Sequence, residues 1–392
     1  ETQPSIETYN ILIRVAGAAK SAELSETWFE EAQEAAGLQR NLGTYHAFLE
    51  ARRQVGDVAK MEVWFERMML AGVTPDIRCC NSVIGAYSDA RRMKKVEEWL
   101  AIAQHRLQIP LDAESYNLAM AGYIATQDPA RAENLMHEMI DRGVKPTARS
   151  YALLIGDGTS YRELSVVRHW SKELLEADLE LPADTYTAVI GAFSASGDEQ
   201  SAEEWFSRMV DEGKQTADAL ALLVDALVLS RGGQGMETAQ EWVYQFRSAG
   251  HTMAPAVYAA LASADVLRGD FEQVEARLQQ MEADGLEMDE RSLTALLLSY
   301  ANASPQQSQL AEQMFKLHML HGKMEATRDV LQALRAAVGG SRCLDLRREL
   351  KLTAGSEKPY TPPGRGKRLS EAAMKMVGLR VSAEKQPVLS WE

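Results

Sequence analysis

Glu203-Glu204-Trp205-Phe206-Ser207-Arg208-Met209 decides the fold, because nearly the same words stand earlier, at Glu62-Val63-Trp64-Phe65-Glu66-Arg67-Met68. The tryptophan inside them keeps time along the chain. Trp28, Trp64, Trp99, Trp170, Trp205 and Trp242 are separated by 36, 35, 71, 35 and 37 residues, and the 71 is two periods with Leu135 standing midway. A second series runs in phase: Gly37, Gly72, Gly143, Gly213, Gly250, Gly285 and Gly322. Two residue types held in step over most of a chain are the mark of a stacked repeat array. Such arrays present long surfaces to partners and seldom do chemistry themselves.

Aligning the two series places units of about 35 residues at Ile6, Leu42, Ile77, Ala113, Ala148, Ala183, Ala217, Pro255 and Glu290, with a degenerate half-unit near Thr327. Each opens with a stripe such as Tyr9, Leu12, Ile13 or Tyr186, Val189, Ile190, the i, i+3, i+4 spacing of a helix that buries one face. A breaker follows, as at Val55-Gly56-Asp57, Ser196-Gly197-Asp198 and Arg268-Gly269-Asp270. The second helix carries the tryptophan. The periodic glycine stands just past its end, where a left-handed residue terminates a helix at little strain, and Pro75 and Pro146 forbid continuation. Neither helix is long enough to stand alone, so each apolar face needs the next unit. The expected fold is all-α: a right-handed α-solenoid of about nine to ten helix-turn-helix repeats over residues 1–352, followed by a basic extended tail, 353–392.

The chain has 392 residues and a net charge of −14. From Thr327 onward 13 Lys/Arg face 7 Asp/Glu, so residues 1–326 carry about −20, a field that repels polyanions. Three cysteines, two of them the neighbours Cys79 and Cys80, make a poor disulfide framework and point to a reducing compartment. No apolar run reaches the roughly 18 residues of a membrane span. The first residue is Glu1 rather than methionine; a processed or trimmed form is expected, with any transit peptide outside it.

Glu7-Thr8-Tyr9-Asn10-Ile11-Leu12-Ile13 and Glu114-Ser115-Tyr116-Asn117 resemble the opening of a pentatricopeptide repeat. Closings such as Met68-Met69-Leu70-Ala71-Gly72-Val73-Thr74-Pro75-Asp76 and Met139-Ile140-Asp141-Arg142-Gly143-Val144-Lys145-Pro146 resemble its end. The resemblance covers about residues 6–326. It implies an organellar protein, of plastid or mitochondrion, whose relatives mostly bind single-stranded RNA one base per repeat. In that family the fifth and last residues of a repeat read the base edge. Carried over, the pairs are Asn10/Asn41, His46/Asp76, Asn81/Asp112, Asn117/Thr147, Ala152/Pro182, Thr187/Thr216, Ala221/Ala254, Ala259/Asp289 and Thr294/Ala326. Asn81/Asp112 matches pairs that select uracil, and Asn10/Asn41 resembles a pyrimidine reader. Ala152/Pro182 and Ala221/Ala254 have no polar side-chain atoms to offer.

The second residue of each repeat, a small aliphatic wedge in RNA-reading relatives, is here Glu7, Gly43, Arg78, Glu114, Arg149, Asp184, Asp218, Ala256 and Arg291. Carboxylates on that row oppose a phosphate chain. The row therefore reads as a charge-patterned docking surface. The expected function is a non-catalytic scaffold or adaptor that docks other protein subunits within an organellar assembly. The alternative is a single-stranded RNA-binding factor for organellar transcript processing, stability or translation.

No catalytic, cofactor or metal residues are expected. The His-x-Glu and Cys-x-x-Cys spacing of a zinc deaminase is missing. His318 and His321, one helical turn apart, read as solvated histidines, and Gly232-Gly233-Gln234-Gly235 as an insertion between helices. In the tail, Tyr360, Arg365, Lys367, Arg368, Leu389 and Trp391 combine basic charge with apolar anchors, a composition suited to ordering against a partner.

Overall fold

The computed structural model describes residues 4–34, 39–156, 163–229, 234–320 and 326–350. Tail residues Tyr360, Arg365, Lys367, Arg368, Leu389 and Trp391 lie outside the described residues, as do Gly37, Gly322 and His321.

Two compact units divide at Leu154. The first holds α1 (Ile6–Ala18), α2 (Ala22–Glu34), α3 (Leu42–Val55), α4 (Met61–Leu70), α5 (Ile77–Asp89), α6 (Met93–Ala101), α7 (Ala113–Ala125) and α8 (Pro129–Asp141), and α9 (Ala148–Ile155) reaches the boundary. The second holds α10 (Leu164–Glu176), α11 (Ala183–Ser196), α12 (Glu199–Asp211), α13 (Ala217–Leu229), α14 (Gln234–Ser248) and α15 (Pro255–Arg268). It continues with α16 (Phe271–Ala283), α17 (Glu290–Asn302), α18 (Ser308–Leu320), α19 (Arg328–Val338) and α20 (Gly340–Glu349). Among the described residues there are no strands. This is an all-α helical-repeat solenoid, and each of the nine expected starting residues is the first residue of a first helix.

Sequence explains the ends of these helices. Gly72, Gly143, Gly213, Gly250 and Gly285 all have φ between 66° and 83°. At Gly72 the amide returns to Met69 and that of Val73 to Met68, which closes the helix on otherwise orphaned carbonyls. The breakers act likewise: Gly197 is left-handed at φ 75°, and Asp198 then caps α12 by accepting from the Ser201 amide. The extra residue between Ile77 and Ala113 is absorbed by a π-helical turn at Ile102–Arg106. Gln234 and Gly235 belong to the first turn of α14 rather than to an inter-helix insertion, because a helix start accepts glycine readily. The expected half-unit near Thr327 is a full pair, α19 and α20, of 11 and 10 residues.

Within the first unit α1 packs on α3, α3 on α5 and α5 on α7, so first helices form a close row. Gly17 shows how close, since a Cβ there would stand 2.6 Å from Ala51 Cα. The second unit repeats this with α11, α13, α15, α17 and α19. Serine hydroxyls tie the row: Ser88 donates to the Leu118 carbonyl at 2.6 Å and Ser194 to Leu222 at 3.0 Å.

Second helices meet their successors through aromatic side chains. Phe29 meets Trp64 edge-on at 5.3 Å, Phe65 meets Trp99 at 4.8 Å, and Phe206 meets Trp242 at 5.3 Å. An indole N–H drawn out of water needs an acceptor; Trp99 finds Glu62 Oε1 at 3.1 Å and Trp242 finds Glu203 Oε1 at 2.8 Å. Trp64, Trp99, Trp170 and Trp205 are buried as expected. Trp28 and Trp242 are only half-buried. For Trp28 the reason is position, because no described second helix precedes it to supply the covering phenylalanine.

Candidate nucleic-acid interface

Position fixes what the first-helix row exposes. In the first eight repeats the last residue is the residue before the next first helix and stands at its N-cap, whereas Ala326 is followed by Thr327, the N-cap of α19. Asn41 accepts from the Thr44 amide, Asp76 from Cys79, Asp112 from Ser115, Thr147 from Ser150, Thr216 from Ala219 and Asp289 from Ser292. Short polar residues are needed there for capping alone. The fifth residue lies one turn into the helix before, facing that cap across the repeat boundary.

In two consecutive repeats the two positions join. Asn81 Nδ2 donates to Asp112 Oδ1 at 3.0 Å, and the Ser115 hydroxyl donates to Asn81 Oδ1 at 2.7 Å. One repeat on, Asn117 Nδ2 donates to Thr147 Oγ1 at 3.2 Å, and Ser150 donates to Asn117 Oδ1 at 2.7 Å. Both carboxamides are buried and held on both sides. Sequence reasoning passed over Ser115 and Ser150, although Asp112-x-x-Ser115 and Thr147-x-x-Ser150 are legible as capping spacings.

The other candidate pairs depart from this pattern for identifiable reasons. In the first repeat Thr44 turns its hydroxyl to its own cap, Asn41 Oδ1, at 3.1 Å. Asn10 Oδ1 is left buried without a hydrogen-bond partner, and Asn10 Nδ2 stands 3.5 Å from where a Cβ on Gly43 would be. Asp76 is drawn to Arg78 Nε at 3.0 Å. Burial pushes the Asp76 carboxyl up, but the Cys79 amide and the Arg78 guanidinium outweigh it and hold it below the usual range. His46 is held below its ordinary value by burial and then by Arg78, which keeps the imidazole neutral at neutral pH. Thr187 donates to the Ala183 carbonyl of its own helix at 3.0 Å while Thr216 caps α13, so the structure does not join them through these hydroxyls. Ala152, Ala221 and Ala259 supply no amide in the later repeats. Paired amides thus belong to the first unit.

The charged second-position row is less hostile than its sequence implies. Glu114 is answered by Arg149 Nη1 of the following repeat at 3.4 Å. Arg78 and Arg149 are both exposed, one repeat before and one after Glu114. In the second unit Arg291 is committed to Asp225, which Ser263 also contacts at 3.2 Å. Asp184 and Asp218 remain exposed. Among the described residues no group of three or more His, Cys, Asp or Glu is placed to hold a metal ion, and no helix is long and apolar enough to cross a membrane.

A helical-repeat solenoid with paired polar side chains at repeat boundaries is the class this geometry defines. The chain contains pentatricopeptide repeats. The PPR repeat family model matches residues 114–144 and 184–213, and the pentatricopeptide repeat domain model matches 27–90. A chloroplastic pentatricopeptide repeat-containing protein of Arabidopsis thaliana is 26% identical over 213 residues, which are 54% of this chain and 27% of that protein. The chloroplastic protein OTP51 of Oryza sativa subsp. japonica is 26% identical over 134 residues, 34% of this chain and 17% of that protein. The chain therefore spans about a quarter or less of these relatives. In fold it is similar to the crystal structure of the pentatricopeptide repeat protein PPR10 from maize, at TM-score 0.51 and 20% identity, over 90% of this chain and 49% of that one.

Proposed function

We propose that this chain is a single-stranded RNA-binding factor of an organelle, the chloroplast by its relatives, and that the first unit makes the base contacts. The observation that carries the reading is the Asn81–Asp112–Ser115 triad and its copy at Asn117–Thr147–Ser150. An Asn81 amide already held at Oδ1 and at one N–H keeps its second N–H for a ligand, beside the second oxygen of Asp112. A donor next to an acceptor suits the edge of a pyrimidine, and the family's pairing makes that uracil. Preorganisation favours the role, because side chains locked before binding lose little entropy on contact. Arg78 and Arg149 flank the two triads with exposed guanidinium groups that stack on bases or meet phosphate.

The scaffold reading drew its strength from the acidic second-position row, and the Glu114–Arg149 pair weakens that ground where the triads stand. Protein docking stays the second reading for the later repeats, where exposed Asp184 accompanies a Thr187 bonded to its own helix and exposed Asp218 accompanies Ala221. Fluorescence anisotropy with labelled oligouridine and oligoadenosine tests the proposal. Tighter, salt-sensitive binding of oligouridine that weakens in Asn81→Ala supports it. Equal or undetectable binding of both sequences refutes it.

A further inference from the structure

The second-helix side of the first unit contains a place that sister repeats fill and one repeat leaves open. Beside α4 and α6, Trp99 lies against Phe65 and donates to Glu62 at 3.1 Å; Trp242 does the same against Phe206 and Glu203. One repeat beyond Trp99 the corresponding residues are Leu135, Leu100 and Glu97. Neither aromatic ring is present. Glu97 instead accepts from the Tyr123 hydroxyl and from Arg131.

A second departure faces the same space. Tyr186 donates its hydroxyl to Glu212 at 2.6 Å, and Tyr258 donates to Asp284, in each case 26 residues on. The residue that far beyond Tyr116 is Arg142, which is engaged with Glu138 at 2.8 Å. Tyr116 is 1% exposed, and its hydroxyl oxygen has no hydrogen-bond partner. An unpaired buried hydroxyl is unfavourable and marks a place for a ligand. Between α6 and α8 the result is a cavity of about 260 Å³ in which Leu100, Leu135 and Tyr116 meet polar Gln104, His105 and Asn134, against about 180 Å³ for the groove beside Trp99.

We propose that this cavity receives the indole of a tryptophan presented by a partner protein. The ring lies on Leu100 and Leu135, in the place Trp99 fills one repeat earlier, and its N–H donates to the Tyr116 oxygen. An indole is a donor without an acceptor, and it would give the Tyr116 oxygen the kind of donor that Arg247 gives Tyr258. At 260 Å³ the space falls below the ~300–1,000 Å³ of sites for larger ligands and suits one fused ring. Anions fit poorly, because the carboxylates of Glu97 and Glu138 stand at the lining beside Arg131 and Arg142. The site opens between the second helices α6 and α8, and Tyr116 reaches it from the first helix α7.

N-acetyltryptophanamide is the probe, followed by ligand-observed NMR and calorimetry on the full chain, with N-acetylleucinamide as control. Saturable binding of the indole compound alone is expected. Leu135→Trp, which supplies the ring from within, should weaken binding at least about tenfold and raise Tm. Should that variant not unfold cooperatively, Leu100→Phe narrows the same space and should likewise abolish binding in a folded chain. Absence of saturable binding, equal binding of the leucine compound, or unchanged binding in the folded variants would overturn the proposal.

Discussion

Trp99 gives the sharpest test of how the repeats hold together. Its ring is buried against Phe65 at 4.8 Å, and its N–H reaches Glu62 at 3.1 Å. Truncation to alanine removes the burial and leaves a cavity, a loss of about 3–5 kcal/mol for a core tryptophan. Trp99→Phe keeps most of the apolar contact and deletes the hydrogen bond. The Glu62 side chain is 39% exposed and keeps Lys95 at 3.3 Å, so water and the ammonium compensate and the change should cost only about 1–2 kcal/mol. Stacked repeats interact with their neighbours alone, so the damage should be local. Hydrogen exchange under mild urea should show faster opening of α4 to α6 in Trp99→Ala, with α15 to α18 unchanged. Equal losses in the alanine and phenylalanine variants, or loosening spread evenly through both units, would refute the reasoning.

Other outcomes follow from individual sites. Arg291→Ala strands buried Asp225, whose carboxyl is already pushed up by burial despite Arg291; urea unfolding at pH 7 should register about 3–5 kcal/mol of loss. A carboxyl raised in the folded state favours folding at low pH and loses that contribution as pH rises through its folded value, so the same variant should lose less near pH 4. Glu312 shows the opposite sign: Arg342 and then Lys316 draw it down to about 2. Its contribution should be present above the ordinary carboxylate range and disappear as pH falls towards 2, and carbon NMR of the carboxyl should show Arg342→Gln moving it upward. Gly213→Ala places a side chain at φ 66° in open space and should cost about 1–2 kcal/mol. Gly269→Ala should cost more in thermal melts, since its Cβ would also stand 2.4 Å from the Asn302 carbonyl.

Periodicity made the fold legible, because burying a helix face requires a residue every turn and stacking requires the same residues every repeat. Ile6, Leu42 and Ala113 could be read as starts for that reason, and each begins a first helix. Contacts that cross a repeat boundary were harder to read. Asn81 and Asp112 stand 31 residues apart and could be paired through the family alone, while Ser115, which holds Asn81 in place, belongs to no hydrophobic period. The sequence also overstated the acidity of the row, since charge counting cannot register that Arg149 reaches back to Glu114. Leu135 was visible as a missed beat in the tryptophan series. That it opens a cavity depended on Leu100 and Arg142 also departing from their sister repeats.

Hydrogen exchange of the full chain with and without oligouridine tests the central claim most directly. Binding through the triads should slow exchange in α5 and α7 and at their caps around Asp112 and Thr147, leaving α4, α6 and α8 unchanged. Protection confined to the second helices, or none at saturating RNA, would contradict an RNA-reading face on the first helices.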